Sequence, residues 1–205
     1  MLTVNGDRDV VERQLESGEL ACPSCGGVLG GWGNAVTRPV RQLAGPDELV
    51  RPRRSRCRAC GMTHVLLPAR LLSRRADAGA VIGRALEANA AGAGRRMIAG
   101  LLKRPESTVR GWLRALVRNA GRVRERFTLL AASLVTDPPL PGPAGSPAGD
   151  AVAAVAAAAA AAVLLPGVSA VARWELASAV TCGLLLAPSW PAVRGNASWL
   201  WAPAR

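Results

Sequence analysis

Two short stretches, Cys22-Pro-Ser-Cys25-Gly26 and Cys57-Arg-Ala-Cys60-Gly61, constrain this chain more than any other feature. In each, a two-residue spacer lets both sulfurs reach one tetrahedral ion. The glycine that follows permits the tight turn whose backbone N–H groups can point at sulfur. Two such knuckles make one four-sulfur site, so Cys22, Cys25, Cys57 and Cys60 are the expected ligands of one zinc ion per chain. Four thiolates fill the tetrahedron and leave no position for a substrate, so the zinc is expected to be structural. The 31 residues between Cys25 and Cys57 exceed the spacing of about 15–20 in the commonest pattern, and the excess fits short strands with a loop at 38–52. His64 follows Cys60 closely and could replace a cysteine, but with four cysteines matched it reads as a strand residue. Cys182, in the apolar run VTCGLLLAP, reads as a small buried hydrophobe. A redox role for CPSC would need a surrounding βαβ pattern, which is missing.

Metal ligation rather than disulfide formation follows from the start of the chain. MLTVNGDRDVVERQLESGE carries acids where a signal peptide needs basic residues and then an apolar core, so a reducing, cytoplasmic setting is expected. The 205 residues give room for one ordinary domain or two small ones.

The fold class expected is mainly α with a small β zinc ribbon. Residues 1–68 read as a leading helix at 9–17, ending at Gly18, followed by the ribbon, with short strands such as 35–37 and 63–67. Residues 69–135 return to helical periodicity and read as four helices, AGAVIGRALEANAAG, RRMIAGLLK, ESTVRGWLRALVRNA and RVRERFTLLAASLV. Residues 136–149, TDPPLPGPAGSPAG, hold five prolines and read as a linker. Residues 150–205 read as Ala-rich helices and a tail containing Trp190, Trp199 and Trp201. The uncharged run 151–172 is long enough to raise a membrane span. It is mostly alanine, is broken by Pro166-Gly167 and is followed by Arg173 and Glu175, so packing on its own chain or on a second copy is preferred. A homodimer stays open.

Within the helical region, Arg95–Arg114 has helix-turn-helix spacing. Ile98, Ala99 and Leu102 share a face of the first helix, and Val109, Trp112 and Leu113 share a face of the second. Lys103-Arg104-Pro105 supplies the turn, with Pro105 at the helix start and Glu106 in the first turn, where negative charge is favourable. Glu106, Ser107, Arg110 and Arg114 then point away from the core, the composition of a recognition helix, with Arg110 suited to a guanine edge and Ser107 or Arg114 to phosphate.

Charge supports the same partner. Net charge is +12, and residues 21–130 hold 21 basic against 6 acidic residues, which points to a polyanion. Arg53, Arg54 and Arg56, with Arg51 and Arg58 around the second knuckle, and Arg104 in the turn are further expected contacts to double-stranded DNA.

CPSCGGVLGGWG, RRSRCRACGMTHVLLPARLLSRRAD and RPESTVRGWL resemble an uncharacterised family of actinobacterial proteins with an N-terminal zinc ribbon and a helix-turn-helix, whose members are described as transposase-like or helix-turn-helix domain-containing. The resemblance spans most of residues 20–118 and more loosely WELASAVTCGLLLAP. It implies a mobile-element or regulatory DNA-binding role and brings no catalytic residue. Full transposases of that layout add a ribonuclease-H-like domain with three metal-binding carboxylates. Here only Asp137, Asp150 and Glu175 follow Phe127, in a linker and an alanine helix. The expectation is therefore a sequence-specific DNA binder that is not an enzyme and takes no small-molecule substrate. The alternatives are a catalytic transposase or recombinase and a membrane-tethered DNA-binding sensor.

Overall fold

The strand THVLLP alternates its side chains between two separate cores, and the rest of the fold is arranged on either side of it. The structure, a computed structural model, describes residues 1–138, 140–168, 170–188 and 190. In chain order the elements are β1 (Leu2–Val4), α1 (Arg8–Glu16), β2 (Leu29–Asn34), β3 (Arg38–Val40), β4 (Glu48–Val50), β5 (Arg53–Cys57) and β6 (Thr63–Pro68). Helices α2 (Gly79–Ala90), α3 (Arg95–Leu102), α4 (Glu106–Leu134), α5 (Pro147–Val163) and α6 (Arg173–Val180) follow. The four-stranded sheet has the order β1-β6-β5-β2, and β3 pairs with β4 in a hairpin. Because strand side chains alternate sides, Leu66 of β6 joins the small core under the ribbon, with Leu2, Val4, Val11, Leu15, Leu20, Leu29 and the buried Cys22 and Cys57. Its neighbour Leu67 joins the large helical core.

β1 was not expected: it pairs parallel with β6, Leu2 opposite Leu66 and Val4 opposite Pro68. Three residues carry no readable periodicity, and only the β6 edge makes them a strand. The Thr3 hydroxyl donates to Ala179 O at 3.2 Å, tying the sheet to α6. The leading helix lies where expected, capped by Asp7, whose side chain accepts from Asp9 N, and Gly18 after it has φ +77°.

The segment expected as a loop at 38–52 is instead the β3–β4 hairpin, in the register Arg38 to Val50 and Val40 to Glu48. Val40 and Val50 are buried in the helical core rather than under the ribbon, so the long spacing between knuckles bridges the two cores. Residues 35–37 are not a strand. They connect β2 to β3, and Ala35 N donates to Pro52 O.

The helical region has three helices between 69 and 135, not four. The last two expected segments merge into α4, 29 residues long. Gly121, which falls between the two expected segments, sits on the exposed side of an uninterrupted helix. Its cost there is about 1 kcal/mol of propensity. Burial of Leu116, Ala120, Val123 and Phe127 on the opposite side offsets that cost. The proline-rich connection is also shorter than read: Ser146 caps α5, its hydroxyl accepting from Gly149 N, and Pro147 to Gly149 form the first turn, where proline is tolerated. α5 packs on its own chain along α4, with Arg124 paired to Asp150 at 3.6 Å. Alanine is the strongest helix former, and its small side chain lets two helices approach closely. No described helix is long and apolar enough to cross a membrane.

α6 is latched to α2. Arg173 and Trp174 both donate to Glu87 Oε1, at 2.7 and 3.0 Å, and the indole lies where a Cβ on Gly83 would overlap it. Trp190 packs against the same core, with the Arg126 guanidinium 5.7 Å from its ring centroid. Trp199 and Trp201 lie outside the described residues.

One buried carboxylate joins the hairpin to the helices. Asp77, 2% exposed, accepts from Arg41 at 2.6 Å and from Arg104 at 2.5 Å. Arg104 also donates to Gln42 O at 3.0 Å. Asp77→Ala would leave both guanidiniums without their counter-charge. A fully enclosed pair loses about 3–5 kcal/mol when broken; with the Arg41 side chain 36% exposed, the expected loss here is about 2–3 kcal/mol. Urea unfolding measures it, and an unchanged midpoint would show that the triad does not hold the two parts together.

Candidate metal centre and basic surface

The two knuckles are built alike. In the first, Gly26 N donates to Cys22 O at 2.8 Å and Cys22 N to Gly27 O at 2.7 Å; in the second, Gly61 N donates to Cys57 O at 3.1 Å and Cys57 N to Met62 O at 2.9 Å. Each turn needs a left-handed residue at its glycine, with φ +76° at Gly26 and +72° at Gly61. The turns aim backbone amides at sulfur: Ser24 N lies 3.4 Å from Cys22 Sγ and Cys60 N 3.5 Å from Cys57 Sγ. Cys22 precedes β2, Cys57 ends β5, and the antiparallel pairing of Leu29 with Cys57 brings the knuckles together.

All four sulfurs lie within 4.8 Å of one another, with Cys22 to Cys60 at 3.8 Å and Cys25 to Cys57 at 3.5 Å. Metal–sulfur bonds of about 2.3 Å in a tetrahedron place sulfurs about 3.8 Å apart, so the group fits one metal ion and is consistent with zinc. Cys22 and Cys57 are buried while Cys25 and Cys60 are exposed, so the ion would sit at the edge of the ribbon core.

The thiols resist sharing negative charge without a cation. Cys57 is lowered to about 6, chiefly by the Cys60 backbone amide. Cys22 is lowered to about 7: burial opposes the shift, and the amides of Ser24 and Cys25, His64 and Cys60 outweigh it. Cys60 is pushed up to about 12: the Met62 amide favours its thiolate, but the sulfurs around it and burial prevail. A divalent ion removes this conflict by attracting all four thiolates.

His64 is on β6 as expected and lies beside the cluster rather than in it. It is 5% exposed, with Nε2 3.3 Å from Cys22 Sγ and Nδ1 3.3 Å from the N-terminal amine. Such a contact orients a ligand. Cys182 is buried at the end of α6 with φ +52°, outside the four-sulfur group. Among the described residues no group of carboxylates is placed to hold a metal.

The arginines divide into two sets. Arg53 is held inside the fold, paired with Glu12 at 2.7 Å and donating to Gly33 O at 2.5 Å. Arg104, its side chain 13% exposed, is bound to Asp77. Glu106 pairs with Arg95 at 2.5 Å and Arg96 at 3.6 Å, and the Arg95 hydrogen bond holds its carboxyl below the usual value. In the structure the charged ends of these three expected DNA contacts are engaged by partners within the chain. Arg54 is half-buried on β5, and Arg56 is exposed, donating to Gly61 O at 3.2 Å.

Ser107, Arg110 and Arg114 are exposed on α4 as expected. Because α4 continues, Arg118 and Arg122 extend the row at four-residue intervals. With Gly111 and Gly121 they fall within about 120° of the helix circumference, and Arg110 to Arg122 spans about 18 Å of axis. Nothing lies within 4 Å of a Cβ at either glycine, and none of the four arginines forms a salt bridge among the described residues. The turn before α4 has Lys103 at φ +51° and Pro105 at the N-cap. Lysine thus takes a left-handed conformation that glycine more often fills.

Residues 22–112 match a domain of unknown function, DUF6431. The match runs from the first metal-ligand cysteine to Trp112 in the core face of α4, so knuckles, hairpin, α2 and the α3–α4 turn lie within one matched unit. No curated protein and no solved structure matches the chain.

Proposed function

We propose that the protein binds double-stranded DNA sequence-specifically without being an enzyme, that α3 and α4 act as its helix-turn-helix, and that one structural zinc ion holds the ribbon. Its role would be in a mobile element or in transcription. The observation that carries the reading is the row Arg110, Arg114, Arg118 and Arg122 on the exposed side of α4. Like charges four residues apart destabilise a helix by about 0.2–0.5 kcal/mol per pair, so the row is unfavourable for the isolated chain and favourable only against a polyanion. The glycines between these arginines leave room for a phosphate backbone to approach. The row is continuous with the N-terminal part of α4, where Arg110 would reach a base edge in a major groove and Ser107 a phosphate.

Charge contacts and base contacts separate by experiment. Arg114→Ala with Arg118→Ala should weaken binding to all duplexes and reduce the slope of log K against log salt by about 1.8, at about 0.9 per phosphate contact. Arg110→Ala should cost about 1–3 kcal/mol on the preferred site and flatten preference at one or two base pairs. Fluorescence anisotropy with duplexes chosen by binding-site selection measures both. Unaltered affinity and salt dependence in both variants would refute the reading.

A further inference from the structure

The strand β2 reads Leu29-Gly-Gly-Trp-Gly-Asn34, and its one aromatic side chain points out of the fold: Trp32 is 51% exposed. Glycine inside a strand weakens it, and an exposed indole adds nothing to the core, so neither stabilises the ribbon. The arrangement is nonetheless built in detail. The register between β2 and β5 shifts between Gly31 and Asn34, a bulge that contains Trp32 and Gly33, the latter at φ +79°. A bulge turns a side chain away from the regular pleat. Two of the strand's glycines lie close to guanidiniums: a Cβ on Gly31 would overlap that of Arg53, at 2.5 Å, and one on Gly30 would be in ordinary contact with Arg58 Nε, at 3.4 Å. From the opposing strand Arg56 lies over the indole, 4.8 Å from the ring centroid. Its Nε–H is fixed on Gly61 O of the second knuckle. The result is an open hollow of about 740 Å³ lined by Gly30, Gly31, Trp32, Arg56, Arg58 and Gly61 among others.

We infer that this face of the ribbon is a second nucleic-acid site, which takes unpaired nucleotides of a single strand: a base stacks on Trp32 while Arg56 and Arg58 hold the flanking phosphates. The inference extends the DNA-binding reading above and uses none of the α4 residues. Its chemistry is that of stacking platforms, a π-face beside guanidinium cations. A duplex does not satisfy it, because paired bases present no free face to an indole standing on a shallow sheet. The single strand would come from a duplex opened next to the site held by α4.

The test uses the full-length zinc-loaded chain and two probes: a fluorescein-labelled oligothymidylate of about 15 nucleotides, long enough to span a single-strand site, and a labelled duplex. Trp32→Ala should weaken oligothymidylate binding by about 5- to 150-fold, the loss of one stacked base, while duplex affinity stays within about twofold. Trp32→Phe should keep most of the affinity, since the π-face survives. Arg58→Ala should lower the salt slope on the oligomer by about 0.7, the single-strand increment. An abasic oligomer should not distinguish Trp32→Ala from the parent protein. Metal content checks that each variant keeps its ribbon. Equal oligothymidylate binding by parent and Trp32→Ala would overturn the inference, as would equal loss on oligomer and duplex. Failure of the duplex reading looks different: duplex binding would be absent or insensitive to the α4 arginines, while Trp32 still governed the oligomer.

Discussion

Cys57→Ser is expected to yield protein without metal and with the two knuckles and the ribbon strands β2 and β5 unfolded. A structural zinc ion supplies on the order of 10–16 kcal/mol of apparent binding free energy, against a net domain stability of about 5–15 kcal/mol. The small core depends on it directly, because Cys22 and Cys57 are two of its own members, 3% and 2% exposed. The larger core contains no ligand, so the helical signal in circular dichroism should outlast the ribbon. Chelation of the parent protein should reproduce the variant. Protons act in the same direction as chelation, since they compete with metal for sulfur. In the metal-free fold Cys60, at about 12, is a thiol at neutral pH, whereas Cys57 at about 6 is largely ionised. Metal uptake near neutrality should therefore release protons, that of Cys60 among them, and affinity should fall as pH falls, because a lowered thiol pKa favours the site only above it. Intact metal content and unchanged melting in Cys57→Ser would remove the four-sulfur assignment.

Trp112→Ala should cost roughly 3–5 kcal/mol in chemical denaturation. The indole is 2% exposed, in the same core as Ile98, Leu102, Val109 and Leu116. It marks the side of α4 that faces inward, on which the outward placing of Arg110 and Arg114 depends. A loss below about 1 kcal/mol would mean that α4 is rotated and that the arginine row does not face solvent. The effect on DNA should follow stability: variant protein that remains folded should keep its salt slope, since no phosphate contact has been removed.

The metal ligands could be read directly because a knuckle is a local object. Two cysteines and a glycine within five residues carry its geometry, and the turn amides that serve sulfur come from the same stretch. The leading helix, the α3–α4 turn and the inward face holding Val109 and Trp112 were local in the same sense, since a cap, a proline and a periodicity of 3.6 act over a few residues. What failed was decided at long range. The continuity of α4 through Gly121 rests on packing across the opposite face, including α5, which a window of sequence does not contain. β1 is a strand only because β6 lies beside it, more than sixty residues away in sequence. Val40 and Val50 mark a hairpin only once the helical core exists to bury them.

Charge shows the same division most sharply. The chain alone determined an excess of arginine between residues 21 and 130 and a ligand set able to hold a metal. It did not determine which arginines are spent inside the fold. Asp77 takes Arg41 and Arg104, and Glu12 takes Arg53, across 27 to 41 residues of sequence, whereas Arg110, Arg114, Arg118 and Arg122 form no such pair among the described residues and Arg56 lies over Trp32. An ion pair forms where folding brings opposite charges within a few ångströms in a poorly screened place. Backbone turns are encoded by neighbours, but the distance between charges far apart in the chain exists only after the two cores have closed on β6.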